Sequence, residues 1–180
     1  MILAGARVLC PCCARAVDGR AAGEALSHVG QYACDRAHRV TQVETGFPRG
    51  ECVRAGYASL LGLPLEAVPR FDPEANAATG GVPQQFRERQ FLRGLGLLLV
   101  EVSSGDDDRP LPGEVLASAP PVFHPMTGLS PRGFSHRVVG HGGRVVHDPH
   151  PDRTGILYCN IVGFLAPRCE VCEMFCAGGH

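Results

Sequence analysis

"GECVRAGYASLLGLPLEAVPRF", residues 50–71, sets a single cysteine, Cys52, behind a Gly-Glu pair and ahead of an apolar run. Val53, Tyr57, Leu60 and Leu61 recur at the spacing of one helix face, Gly62 supplies a stop and Pro64 lies beyond it. The pattern predicts a helix that begins at the cysteine. A free thiol is most often buried packing. At a helix N-terminus, however, aligned peptide dipoles carry partial positive charge and favour thiolate over thiol, whose ordinary pKa is about 8.5. The rest of the chain has to decide between packing and nucleophile.

Working outward, "ETGFPRGE" before the helix reads as a loop, "LPLEAVPRF" after it as a short turn, and "DPEANAATGG" as loop by composition. "VPQQFRERQFLRGLG" predicts a second helix closed by Gly94 or Gly96, and "LLLVEVS" predicts a strand. "SGDDDRPLPGE" is an acidic, Pro-containing loop whose charge run reads as a solvated face. Then come short strands: "PVFHPM", a hairpin of "SHRVV" and "RVVHD" around the turn "GHGG", and "ILYCNIVGFL". No internal repeat is visible. Helices first and antiparallel strands second predict an α+β fold, with helices packed on a strongly bent sheet.

The 180 residues suit one compact domain with a small appendage. Gly (23) and Pro (15) imply many loops without reaching a disordered composition. A net charge of −1 with no basic run argues against nucleic-acid binding. The opening "MILAGARVLCPCC" is apolar but interrupted by Arg7 and has no basic leader, so no secretory signal is expected. No stretch approaches the roughly 18 apolar residues of a membrane span. Nine cysteines, an odd number clustered at the two ends, read as metal binding in a reducing, cytoplasmic compartment rather than as a disulfide framework.

A nucleophilic cysteine needs a base. His136 opens the first hairpin strand and Asp148 closes the second, so a turn near "GHGG" makes them neighbours. A carboxylate on one ring nitrogen holds an imidazole in the tautomer that can pair with a thiolate. Asp152, past two prolines, fits the strand-end position less well. Together, "GECVRAGYASLLGLPLEAVP" and "SPRGFSHRVVGHGGRVVHDPHP" resemble the papain-like cysteine peptidases, in particular their compact bacterial and phage type, over roughly residues 41–165. The resemblance implies a papain-like fold whose central helix starts at the nucleophile. It assigns Cys52 as nucleophile, His136 as general base and acid, and Asp148 as the orienting group. It also implies a glutamine ahead of the cysteine as oxyanion donor, beside the Cys52 backbone N–H. Gln42 is the available residue, ten positions upstream and farther than the family usually places it.

The other histidines carry plainer expectations: His147 and His150 at the surface, His124 as a polar strand residue, His141 exposed in the turn. The termini are different. Cys10, Cys13, Cys34 and His38 form one possible tetrahedral zinc set, with Cys12 left over, and Cys169, Cys172, Cys176 and His180 form a second. A mixed site of Cys10 and Cys13 with Cys169 and Cys172 would join the two ends. Such ends bury little apolar surface, so structural zinc would supply their folding free energy. The expected organisation is a zinc-ribbon-like head at 1–40, a catalytic domain at 41–166 and a Cys-rich tail at 167–180. The expected function is acyl transfer on a peptide or isopeptide bond of a peptide or protein substrate, with no catalytic cofactor. A deamidase or acyltransferase with the same triad, and a non-catalytic zinc-binding interaction module, are the alternatives.

Overall fold

A computed structural model describes residues 7–9, 16–17 and 39–167, apart from positions 79 and 107. The architecture is α+β around an antiparallel sheet. In chain order the elements are β1 (Arg7–Leu9), β2 (Ala16–Val17), α1 (Cys52–Leu61), a 3₁₀ turn (Leu65–Ala67), α2 (Pro73–Ala78), α3 (Gln84–Gly94), β3 (Leu97–Ser103), α4 (Gly113–Ala117), β4 (Phe123–Leu129), β5 (Ser135–His141), β6 (Arg144–His147) and β7 (Tyr158–Pro167). The sheet order is β2-β1-β3-β7-β4-β5-β6, every pair antiparallel. Five strands from residue 97 onward form its body. The two short strands from the cysteine-rich head extend its edge through β3, a pairing the sequence pattern does not suggest.

Two apolar layers hold helices to the sheet. On one side Ala55, Tyr57, Ala58 and Leu60 of α1 meet Val68, Phe71, Leu92, Leu99 and Val139. On the other, Leu98, Val100 and Val102 of β3 pack with Val115 of α4 and with Met126, Val138, Val162 and Phe164. The alternation of Leu98, Leu99 and Val100 between the two layers is the period-2 signature of a strand covered on both faces.

Helix α1 starts at Cys52, as its apolar spacing predicts. It ends where Gly62 adopts a left-handed conformation (φ 66°) that a side chain would disfavour. The hairpin likewise matches: β5 and β6 are joined through Gly142 and Gly143, both at positive φ, as a tight two-residue turn requires. Among the elements, one expectation is overturned. Residues 72–81 are not simply loop, because α2 forms there with the Asp72 carboxylate accepting the Ala75 N–H (3.1 Å). Asp followed by Pro at the first helical position is a start signal that the Ala/Gly-rich composition obscures. The expected turn at 63–71 is the 3₁₀ segment, and the acidic loop 104–114 runs into α4.

The segment ahead of α1 is tied down at several points. Val40 N–H donates to Ser59 Oγ (3.1 Å), and the Val40 carbonyl accepts from His147 Nε2 (2.9 Å). Gln42 N–H donates to the Pro149 carbonyl (3.0 Å). The buried Glu51 carboxylate receives the N–H groups of Val43 and Glu44 and pairs with Arg54 at 2.5 Å. His147 is therefore buried rather than at the surface, because its ring closes the bond between this segment and β6. His124 is fully buried on β4, its Nδ1–H donating to the Val122 carbonyl (2.8 Å). His141 is half-buried, its ring packed on Phe123 rather than free in the turn.

Candidate active site

Cys52 is the first residue of α1, so its sulfur lies at the positive end of the helix. His136 sits one residue into β5 and is buried, and Asp148 directly follows β6. His136 Nε2–H donates to Asp148 Oδ1 at 2.7 Å. With Nε2 so engaged, Nδ1 is the ring nitrogen left to interact with Cys52, which lines the same cleft and is electrostatically coupled to His136. The three side chains chosen from sequence thus stand in one chain of contact: sulfur, imidazole, carboxylate.

Their electrostatics are mutually consistent. Burial disfavours charge on all three, but each is compensated. Burial pushes the Cys52 thiol up, yet the hydrogen bond and positive charge of His136, then the backbone N–H and guanidinium of Arg137, bring it below its ordinary value. Burial pulls His136 down, while its bonds to Asp148 and Cys52 lift it to about 9. Asp148 is held below the usual carboxylate range: burial opposes this, but it accepts from His136, from His150 N–H (2.8 Å) and from Gly155 N–H (2.7 Å). The shifts run in the direction that favours a thiolate–imidazolium pair backed by a carboxylate, and the pair titrates as a unit.

Cys52 and His136 open onto a cleft of about 270 Å³. Gln42 lines it with Cys52 and His136. Its side chain is buried and its Oε1 has no hydrogen-bond partner among the described residues. Phe47 and Phe134, both exposed, stand on the cleft walls. His150 also lines the cleft instead of lying at the surface: its ring meets His136 edge-on at 6.1 Å and its Nδ1 lies 2.7 Å from Asp152 Oδ1. Asp152 thus supports His150 while Asp148 supports His136.

Sequence reading missed the floor. Arg137, directly after His136, is buried against α1, where its stem packs beside Gly56 and the Tyr57 ring lies 5.4 Å beneath its guanidinium carbon. Its Nη1 donates to Glu88 Oε2 (2.6 Å) and Tyr57 Oη (3.0 Å), and its Nε donates to Thr127 Oγ1 (3.1 Å). Tyr57 also donates to Glu88 Oε2 (2.9 Å), and Gln84 Nε2 to Glu88 Oε1 (2.7 Å). Burial pushes the Tyr57 hydroxyl well above its ordinary range. Alternating side chains along β5 were the available signal, since Arg137 occupies a position that must face α1.

The remaining site expectations fall elsewhere. Cys10, Cys13, Cys34, His38, Cys169, Cys172, Cys176 and His180 lie outside the described residues. Among the described residues, no group of three or more His, Cys, Asp or Glu is placed to hold a metal. Among them, too, no helix is long and apolar enough to cross a membrane. No protein-family model, curated protein or solved structure matches the chain.

Proposed function

We propose that this chain is a papain-like thiol hydrolase, a cysteine peptidase or amidohydrolase that cleaves a peptide or isopeptide bond by acyl transfer through Cys52. The observation that carries the reading is the contact chain Cys52–His136–Asp148 at a cleft, with sulfur at a helix N-terminus. The order of elements fits the resemblance: a helix beginning at the cysteine, a strand bearing the histidine, and the carboxylate after the next strand.

In this mechanism the Cys52 thiolate attacks the substrate carbonyl carbon, and the C=O electrons move onto oxygen. The Cys52 N–H and the Gln42 side-chain amide are the donors for that oxyanion. As the tetrahedral species collapses, the C–N bond breaks and the His136 imidazolium gives its proton to the leaving amine. His136 then takes a proton from water, which attacks the thioester and releases acid and thiolate. Asp148 stays ionised throughout and keeps the ring oriented. No step is routed through a metal. Structural zinc at the cysteine-rich ends and a cytoplasmic location belong to the same proposal.

The test is an electrophilic thiol probe on wild type and Cys52→Ser, followed by product analysis. Selective labelling at residue 52, lost on substitution, supports the reading. Labelling indifferent to the substitution, with no substrate turned over, sinks it and leaves a zinc-binding interaction module. A cut backbone, released ammonia or a new amide link separates peptidase, deamidase and acyltransferase.

A further inference from the structure

Two guanidiniums line the same cleft as Cys52, and both have donors without acceptors. Arg137 spends Nε and Nη1 on Thr127, Tyr57 and Glu88, but Nη2 makes no hydrogen bond among the described residues. Nor is that nitrogen among the sealed, unpartnered atoms, so it remains open at a residue that lines the cleft. Arg132, on the turn between β4 and β5, has its Nη1 held by both oxygens of Asp152 (2.7 and 2.8 Å) and by Thr154 Oγ1 (2.6 Å). Its Nε and Nη2 are covered and have no partner among the described residues. Those two nitrogens lie beneath the cleft surface, so Arg132 brings positive charge to the wall rather than open donors.

Unfilled charged donors are costly to keep, and the fold offers them no acceptor. The anions nearby are already occupied: Asp72, also on the cleft wall, is bound by Arg70 (2.8 Å) and the Ala75 N–H (3.1 Å). Glu88 and Asp152 are bound as described. We infer that the cleft selects substrates carrying a carboxylate side chain within two residues of the scissile carbonyl, received by the open Nη2–H group of Arg137 with the positive charge of Arg132 beside it. The inference rests on reading the cleft as the substrate site of a thiol hydrolase, and it makes these two arginines specificity-determining residues.

The test compares short capped peptides with Glu, Gln, Leu or Lys at the first or second position before a fluorogenic amide. The expected result is kcat/KM at least tenfold higher for Glu than for Leu at one position, with Gln well below Glu. Arg132→Leu or Arg137→Lys should bring the Glu-to-Leu ratio below about threefold. In parallel, intact Cys52→Ala protein is titrated with the same peptides as primary amides, which needs no turnover. Tighter binding of the Glu peptide, weakened by Arg132→Leu, supports the inference. If wild type cleaves without an acidic preference and Cys52→Ala binds all four peptides alike, the inference fails while the hydrolase reading stands. A Gln peptide equal to Glu also overturns it, because charge is then not read. Selective binding of the Glu peptide with no cleavage of any substrate leaves the selectivity standing and refutes the hydrolase reading instead.

Discussion

Asp148→Asn is the most informative single change, because it removes the charge with little change of shape, although the new amide NH2 then faces the Gly155 N–H in place of an acceptor. The lift of His136 from 6.5 to about 9 corresponds to about 3 kcal/mol of preference for imidazolium. Burial of the ring opposes that preference, so the support from Asp148 and Cys52 together must exceed it. An opposite charge in contact moves a pKa by about 1–3 units. In the variant a neutral amide carbonyl accepts the Nε2–H bond, and a neutral bond has about half the strength of a charged one. The His136 pKa should therefore fall by about 1–3 units. The thiolate then keeps a charged counter-ion only up to a lower pH, and the share of the ion pair drops with it. The assay is the rate of iodoacetamide alkylation at Cys52 from pH 4 to 10, alongside an NMR titration of the His136 ring. We expect the alkylation profile to change shape above pH 6 and the ring to titrate well below 9. Superimposable alkylation curves for the two proteins, with melting showing the variant folded, would refute the ion-pair reasoning.

Three further outcomes follow from the structure. Gln42→Ala should lower the rate of acyl transfer by about 10²–10³ if its amide is an oxyanion donor, yet leave iodoacetamide alkylation of Cys52 almost unchanged, since displacement at an alkyl carbon forms no oxyanion. Burial holds His124 neutral with a pKa of about 4. The unfolded chain thus binds more protons between pH 6.5 and 4, and stability must fall as pH drops through that window, by about 3 kcal/mol in all. Urea midpoints at pH 7 and 4.5 should therefore converge in a His124→Gln variant relative to wild type. Gly128 sits at the irregularity where β4 passes β7, and a Cβ there would lie 1.8 Å from the Tyr158 carbonyl oxygen. Gly128→Ala should lower the melting temperature by an amount equivalent to at least about 1–3 kcal/mol, whereas an unchanged melt would mean that the strands can separate at no cost.

The parts of this fold legible from sequence are those set by local chemistry. Cys52 can be placed at a helix start because Val53, Tyr57, Leu60 and Leu61 fix the helical phase and Gly62 ends it. His136 and Asp148 can be paired because a two-glycine turn leaves little freedom in hairpin register. What cannot be read depends on partners distant along the chain. Arg137 and Glu88 are 49 positions apart, and nothing near either announces the other. His147 reads as a surface residue because its acceptor, the Val40 carbonyl, lies 107 positions away. Helix α2 is hidden for the opposite reason, since six residues are too few to show a period.

Val40 also has a mechanical consequence. Its amide is fastened to the helix that begins with the sulfur, and its carbonyl to the strand that ends beside the carboxylate. The incoming chain is thus pinned across the seam between the two halves of the site. Tension or a changed approach angle arriving from the preceding residues would act on that seam first, opening or closing it before any distant layer yielded. With the Gln42 bond to Pro149, this backbone joins the half that carries the sulfur to the half that carries the carboxylate.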